Sequence, residues 1–138
     1  LYDKTREILC RRKAAARTMR TTFMQLNWLI RGWINYYRIG SMKGFLDEYG
    51  QWLRHKVRVV ILKQWKKPKT IFRNLMKLNR IVGGGFEKER LLSVANARQG
   101  WYRRATIRDI NFLLNPTILG IKTKDRPGLV DPLAYYLN

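Results

Sequence analysis

Residues 51–70 read QWLRHKVRVVILKQWKKPKT, and the spacing within this stretch decides the fold. Leu53, Val57, Val60 and Ile61, preceded by Leu46 and Tyr49, recur at three- and four-residue steps, which sets them on one stripe of a helix facing a core. The other positions are almost all cationic: Arg54, Lys56, Arg58, Lys63, Lys66, Lys67 and Lys69 follow one another with no acidic residue among them. Such a helix has no internal ion pairs to neutralise its solvent side, so a polyanion is the expected cover. Trp52 and Trp65 sit among these cations, a mixture that suits phosphates taken by ammonium and guanidinium groups and bases or sugars stacked on rings.

Upstream, Leu26, Leu29, Ile30, Trp33, Ile34 and Tyr37 match the helical i, i+3, i+4, i+7 pattern closely. The opposite face of that helix presents Arg20, Asn27, Arg31, Asn35 and Arg38, and Gly40 with Ser41 is expected to end it. The next helix is expected from Lys43 or Gly44 to Lys66, with Asp47 and Glu48 near its positive end and Lys63, Lys66 and Lys67 near its negative end. Pro68 closes it and opens a shorter helix through Leu75 and Leu78.

Gly83, Gly84 and Gly85 resemble a phosphate cradle only in composition. No Lys-Ser or Lys-Thr follows and no hydrophobic strand precedes, so a flexible inter-helix hinge is expected. Residues 86–98 resume helical spacing, with Leu91, Leu92 and Ala95 inward and Glu87 and Glu89 in the first turn. Thr106 and Asp109 fit an N-cap and N3 carboxylate for a helix carrying Ile110, Leu113 and Leu114. From Gly120 the tail, with Pro127, Gly128 and Pro132, is expected to be irregular until 133–137 dock. At the other end, Arg11, Arg12, Lys13, Arg17 and Arg20 surround an Ala-rich centre, read as a basic helix or an ordered arm, with a solvated charge run over 4–13 as the alternative. No period-two segment appears, so the class is all-α: a small bundle of amphipathic helices with a basic face and an irregular C-terminal tail. The expected organisation is 1–20 as basic helix or arm, 21–120 as helical domain and 121–138 as a tail packed on it.

Across 138 residues, 46% are hydrophobic, enough for a core without staples. Lys plus Arg number 29 against 9 Asp plus Glu, a formal net charge of +20, which again calls for a polyanionic partner. Cys10 and His55 are each the sole residue of their type, so neither a disulfide nor a metal site is expected, and a reducing compartment fits: bacterial cytoplasm, a similar space or an organelle. The longest aliphatic run, 59–62, is far short of a membrane span, and 1–13 lacks the apolar block of a secretory signal. A start at Leu1 rather than Met leads us to expect a piece of a longer protein. The carboxylates, Asp3, Glu7, Asp47, Glu48, Glu87, Glu89, Asp109, Asp125 and Asp131, are scattered, whereas a two-metal polymerase or nuclease needs them converging on ions about 4 Å apart. Catalysis, cofactors and small-molecule substrates are therefore not expected within this chain.

The runs LNWLIRGWINYY (26–37), WLRHKVRVVILKQWKKPKT (52–70) and ANARQGWYR (95–103) resemble the thumb, or maturase-specific domain, of group II intron-encoded proteins, over roughly residues 17–128. The resemblance implies a helical domain that follows a reverse-transcriptase palm and binds group II intron RNA together with an RNA-DNA or RNA-RNA template-primer duplex. It also implies a parent protein, an RNA-directed DNA polymerase, that promotes splicing by stabilising the folded intron and copies the intron into DNA during retrohoming. The paired aspartates of the polymerase portion and the Cys- and His-bearing endonuclease segment of some members are not in this sequence. It departs from the family pattern at Gly83 to Gly85, where the connection looks longer, and at His55, where the family usually carries Arg.

The residues expected to bind nucleic acid are Arg20, Arg31, Tyr36, Arg38, Arg54, Lys56, Arg58, Lys63, Trp65, Lys66, Lys67, Lys69 and Arg73. Arg suits bidentate phosphate contacts and Lys acts as a point charge. Trp33 is read as core anchor over stacking platform, Trp65 as lying on the seam between apolar stripe and cations, and Trp101 and Tyr102 as inter-helix packing. His55 is read as a phosphate contact or a surface residue. A rival function is a general duplex clamp that serves polymerase processivity without intron specificity. A protein-interaction or anionic-membrane module would need an exposed apolar face, and the apolar stripes look fully used by the core.

Overall fold

The hydroxyl of Thr18 accepts the amide of Thr21 at 3.2 Å and so starts a helix that runs Met19–Tyr37. In the computed structural model, which describes residues 1–10, 18–38, 41–123 and 126–138, it is one of nine helices, and no strand occurs among the described residues. In chain order these are α1 (Tyr2–Ile8), α2 (Met19–Tyr37), α3 (Lys43–Trp65), α4 (Pro68–Val82), α5 (Lys88–Ala95), α6 (Trp101–Arg104), α7 (Arg108–Leu113), α8 (Pro116–Leu119) and α9 (Pro132–Leu137). The all-α expectation holds. The basic run Arg11, Arg12, Lys13 and Arg17, the helix-ending Gly40 and the carboxylate Asp125 lie outside the described residues.

Phe23, Leu26, Ile30 and Ile34 of α2 and Leu46, Tyr49, Leu53 and Val57 of α3 are buried at the helical spacing the sequence shows. Beyond that point α3 stops being two-faced: Val57, Arg58, Val59, Val60, Ile61 and Leu62 are all buried. Helices α4, α6 and α9 contact α3, and the segment after α7 closes over it. Each Val, Leu or Ile so enclosed contributes about 1.5–3 kcal/mol relative to exposure. At the other end of α3, α1 is docked: the Thr5 hydroxyl lies 2.7 Å from the Tyr49 hydroxyl, and the Tyr2 ring meets Tyr49 and Trp52 edge-on at 5.2 and 4.8 Å. Burial pushes the Tyr49 phenol up to about 12, so it stays neutral and keeps that hydrogen bond.

Lys66, in the left-handed region at φ 59°, turns the chain from α3 into α4, and Pro68 occupies the first turn of α4. Helices α4 and α5 form a hairpin around Gly83 and Gly85, whose φ values of 68° and 67° suit a residue without Cβ. Where a flexible hinge was expected, the Asn79 amide pins the loop: Nδ2 donates to the Phe86 carbonyl at 3.0 Å and Oδ1 accepts the Phe86 amide at 3.2 Å. Leu91 and Ala95 face inward as expected, but Leu92 is exposed.

The Thr106–Asp109 capping box does not form. Thr106 donates to the Arg103 carbonyl at 2.6 Å, and the residue preceding α7 is Ile107, with no side-chain cap. Asp109 is instead buried and takes Arg90 of α5 in a bidentate pair, both contacts 2.8 Å, because a planar guanidinium satisfies a buried carboxylate more fully than one helix end does.

The described part of the tail is held at several points. Leu129 donates its amide to the Leu119 carbonyl at 2.8 Å, and Gly128 approaches Gly120 so closely that a Cβ on Gly128 would collide with the Gly120 carbonyl. Asn27, expected on the solvent face of α2, is buried; it donates to the Gly128 carbonyl at 2.8 Å and accepts the Val130 amide at 2.9 Å. Asp131 caps α9, whose Tyr135 hydroxyl donates to Asn35 at 3.1 Å and whose Tyr135 carbonyl accepts from Arg38 at 3.2 Å. Asn27, Asn35 and Arg38 therefore seat the tail rather than forming a free amide-rich surface. Replacing Asn27 with Ala is expected to lower unfolding free energy by about 1–3 kcal/mol, since two backbone groups lose their partner. Urea denaturation should show a lower midpoint at unchanged slope.

Candidate nucleic-acid interface

Helix α4 buries Ile71 and Leu75, and at steps of four, four and three its opposite face exposes Lys69, Arg73, Lys77 and Arg80. Those steps set successive cations about 4.5–6 Å apart along the axis. Lys67 precedes the helix, Lys66 occupies the positive-φ turn, and half-buried Lys63 extends the row onto the last turn of α3. None of these cationic side chains forms an ion pair or hydrogen bond with a described residue. Trp65, half-buried against the core, borders the row. The structure thus places Lys66, Lys67, Lys69 and Arg73, all exposed, on α4 and the turn before it, with Lys63 and Trp65 half-buried on the last turn of α3. It adds Lys77 and Arg80, which the sequence reading stopped short of although the 69–73–77–80 spacing is visible in it.

The cations of α3 fare differently. Arg58 is a correction: it is 8% exposed, its Nε donates to the Leu114 carbonyl at 2.9 Å, and it faces no solvent that a phosphate could enter from. Burial, with a smaller push from the Arg54 charge, lowers its pKa to about 10, so it remains a cation near neutrality. Arg54 is half-buried, folds over Gly50 and lines a narrow cleft with Leu119, Leu129 and Asp131. The Lys56 ammonium stands 5.9 Å from the Trp52 ring centroid and 5.3 Å from that of Tyr102. His55 meets Tyr102 edge-on at 4.3 Å, and its Nε2 is buried without a hydrogen-bond partner, which suits neither a phosphate contact nor a catalytic base.

On α2, Arg31 is exposed, while the Arg38 guanidinium stacks over Tyr135 and Tyr136 at 5.7 and 5.9 Å and so belongs to the docking of α9. Arg20 stands apart from the α4 row, lining a cleft of about 290 Å³ with Met24, Lys122 and Arg126. Burial lowers the Arg126 pKa as its guanidinium stacks over Phe23 at 4.7 Å. Tyr36 is 77% exposed beside Trp28, at 64%, so an apolar face does remain outside the core; Trp28 was missed because it lies one position off the stripe. Among the described residues no cluster of His, Cys, Asp or Glu could hold a metal ion, and no helix is long and apolar enough to cross a membrane.

A helical domain with a row of exposed cations on α4, unpaired among the described residues, is the setting for the family match. Residues 1–79 match the family described as group II intron, maturase-specific domain; 79 of 138 residues is more than half, and the chain belongs to this family. No curated protein matches the chain. The match covers α1 to α3 and ends inside α4, so the 95–103 run that contributed to the resemblance lies beyond it.

His55 yields a pH test. Its pKa is held below the ordinary 6.5, chiefly by burial and then by the charges of Lys56 and Arg58. The unfolded chain therefore takes up a proton that the folded one resists, and stability present above about 6.5 is lost as pH falls from there through the folded value. Urea unfolding should show this decline, and His55→Phe should flatten it.

Proposed function

We propose that this domain binds structured group II intron RNA by laying a phosphate strand along the row from Lys63 to Arg80, and that it promotes splicing by stabilising the folded RNA. The observation that carries this reading is the run of cations on α4 and the α3–α4 turn that have no counter-charge among the described residues, in a chain of the maturase-specific family. Ammonium-rich rows contact backbone more readily than base edges, and A-form helices offer phosphates and 2′-hydroxyls, so recognition is mainly of shape. The same row suits the RNA-DNA or RNA-RNA template-primer duplex of a polymerase elsewhere in the parent protein. The exposed free thiol of Cys10 fits a reducing compartment.

The test is binding of the 138-residue chain to a folded group II intron RNA and to an unrelated duplex of equal length, across a salt series. The expected result is an intron advantage that persists as salt rises; if both ligands weaken together, the domain is a general duplex clamp. In a second experiment Lys69, Arg73, Lys77 and Arg80 are all replaced by Gln. The log-log salt slope on duplex should fall by roughly three to four units while helicity is retained, because each neutralised phosphate contributes about 0.9. An unchanged slope would remove α4 from the interface. Reversing Lys63, Lys66 and Lys67 to Glu should likewise weaken RNA binding and flatten the slope.

A further inference from the structure

Helix α2 carries an exposed face that the cationic row does not use. Trp28, Gly32 and Tyr36 lie at steps of four along it, and with Trp33 and with Lys4 of α1 they line a groove of about 520 Å³. The eight steps from Trp28 to Tyr36 span about 12 Å of helix. Trp33 is held in place by Phe45, stacked at 5.4 Å, and by Tyr37 at 4.9 Å, so this wall is fixed before anything binds. Gly32 leaves the floor open: a Cβ there would meet nothing within 4 Å, so no neighbouring group requires glycine at this helical position. Lys4 is the charged residue on the lining, and no carboxylate lines it.

Flat rings with polar edges, one cation and no acid are the chemistry of a stacked base with its phosphate. They suit an aliphatic peptide face less well, because such a face has no use for the ammonium group. We propose that this groove receives unpaired nucleobases of a single-stranded RNA segment, which stack on Trp28, Trp33 and Tyr36 while Lys4 meets the adjoining phosphate. The proposal rests on the reading that the domain binds RNA, and it separates the two jobs: the row on α4 holds duplex, and the groove on α2 holds strand that has left the duplex.

The test compares a short oligouridylate with a blunt RNA duplex of the same length on the 138-residue chain, by fluorescence anisotropy and by quenching of tryptophan emission. Gly32→Leu fills the groove at a site with free space and a better helix former, so its melting temperature should not fall; Trp28→Ala and Tyr36→Ala remove the walls. Each variant should weaken oligouridylate binding roughly 5- to 100-fold, as expected for one lost stacking contact, with duplex affinity held within about twofold. Unchanged oligouridylate binding in folded Gly32→Leu and Trp28→Ala proteins, with duplex binding intact, overturns the groove assignment, leaves the face to a protein partner and spares the α4 row. Failure of the parent sequence to bind either RNA overturns both readings.

Discussion

From residue 57 to residue 62, α3 has no side left for water, and the placement of the surrounding helices follows from that. A helix buried all round must be approached from every direction. Here α4, α6, α9 and the segment after α7 supply the approaches. Arg58 sharpens the constraint because a guanidinium inside an apolar shell is costly unless its donors are met. The Leu114 carbonyl meets one of them, which ties the end of α7 to a fixed point on α3.

This inward demand takes several polar side chains off the surface. Asn27, Asn35 and Arg38 are taken up by the tail, Arg90 by Asp109, and Arg58 by Leu114. Among the described residues, Lys66, Lys67, Lys69, Arg73, Lys77 and Arg80 form a run of exposed cations along α4 and the turn before it, on a hairpin stiffened by Asn79, while Arg31, Lys43, Arg98 and Arg103 are exposed elsewhere. A net charge of +20 gives the folded state a self-repulsion that a polyanion relieves, so the same charges that weaken the free domain favour its complex.

The long helices were legible because their apolar spacing is regular: Leu26, Ile30, Ile34, Leu46, Leu53 and Val57 lie where the pattern puts them. Individual polar residues were much less legible. Asn27 and Arg58 sit in register with solvent-facing positions, and only contacts with residues far along the chain, Gly128, Val130 and Leu114, turn them inward. Thr106 and Asp109 have the spacing of a capping box, but the pattern is local and Arg90, distant in sequence, outcompetes it. Lys77 and Arg80 continue a spacing already present at Lys69 and Arg73, so that part of the site could be read from sequence alone. Tyr36 and Trp28 could not be resolved the same way, because one missing neighbour on a helix face leaves no mark on the sequence of that helix.

The family match ends at residue 79, three residues before the last turn of α4 closes at Val82, while the groups that cover α3 and seat against α2 come from residues such as Trp101, Leu114, Leu129 and Tyr135. The module that recurs between proteins is here smaller than the set of residues that encloses α3. The described residues after 79 supply the rest of that lining, and their outer surface carries side chains such as Arg98, Tyr102 and Arg103 that the lining does not constrain. Divergence can therefore accumulate on that outer shell without reaching the helix it encloses.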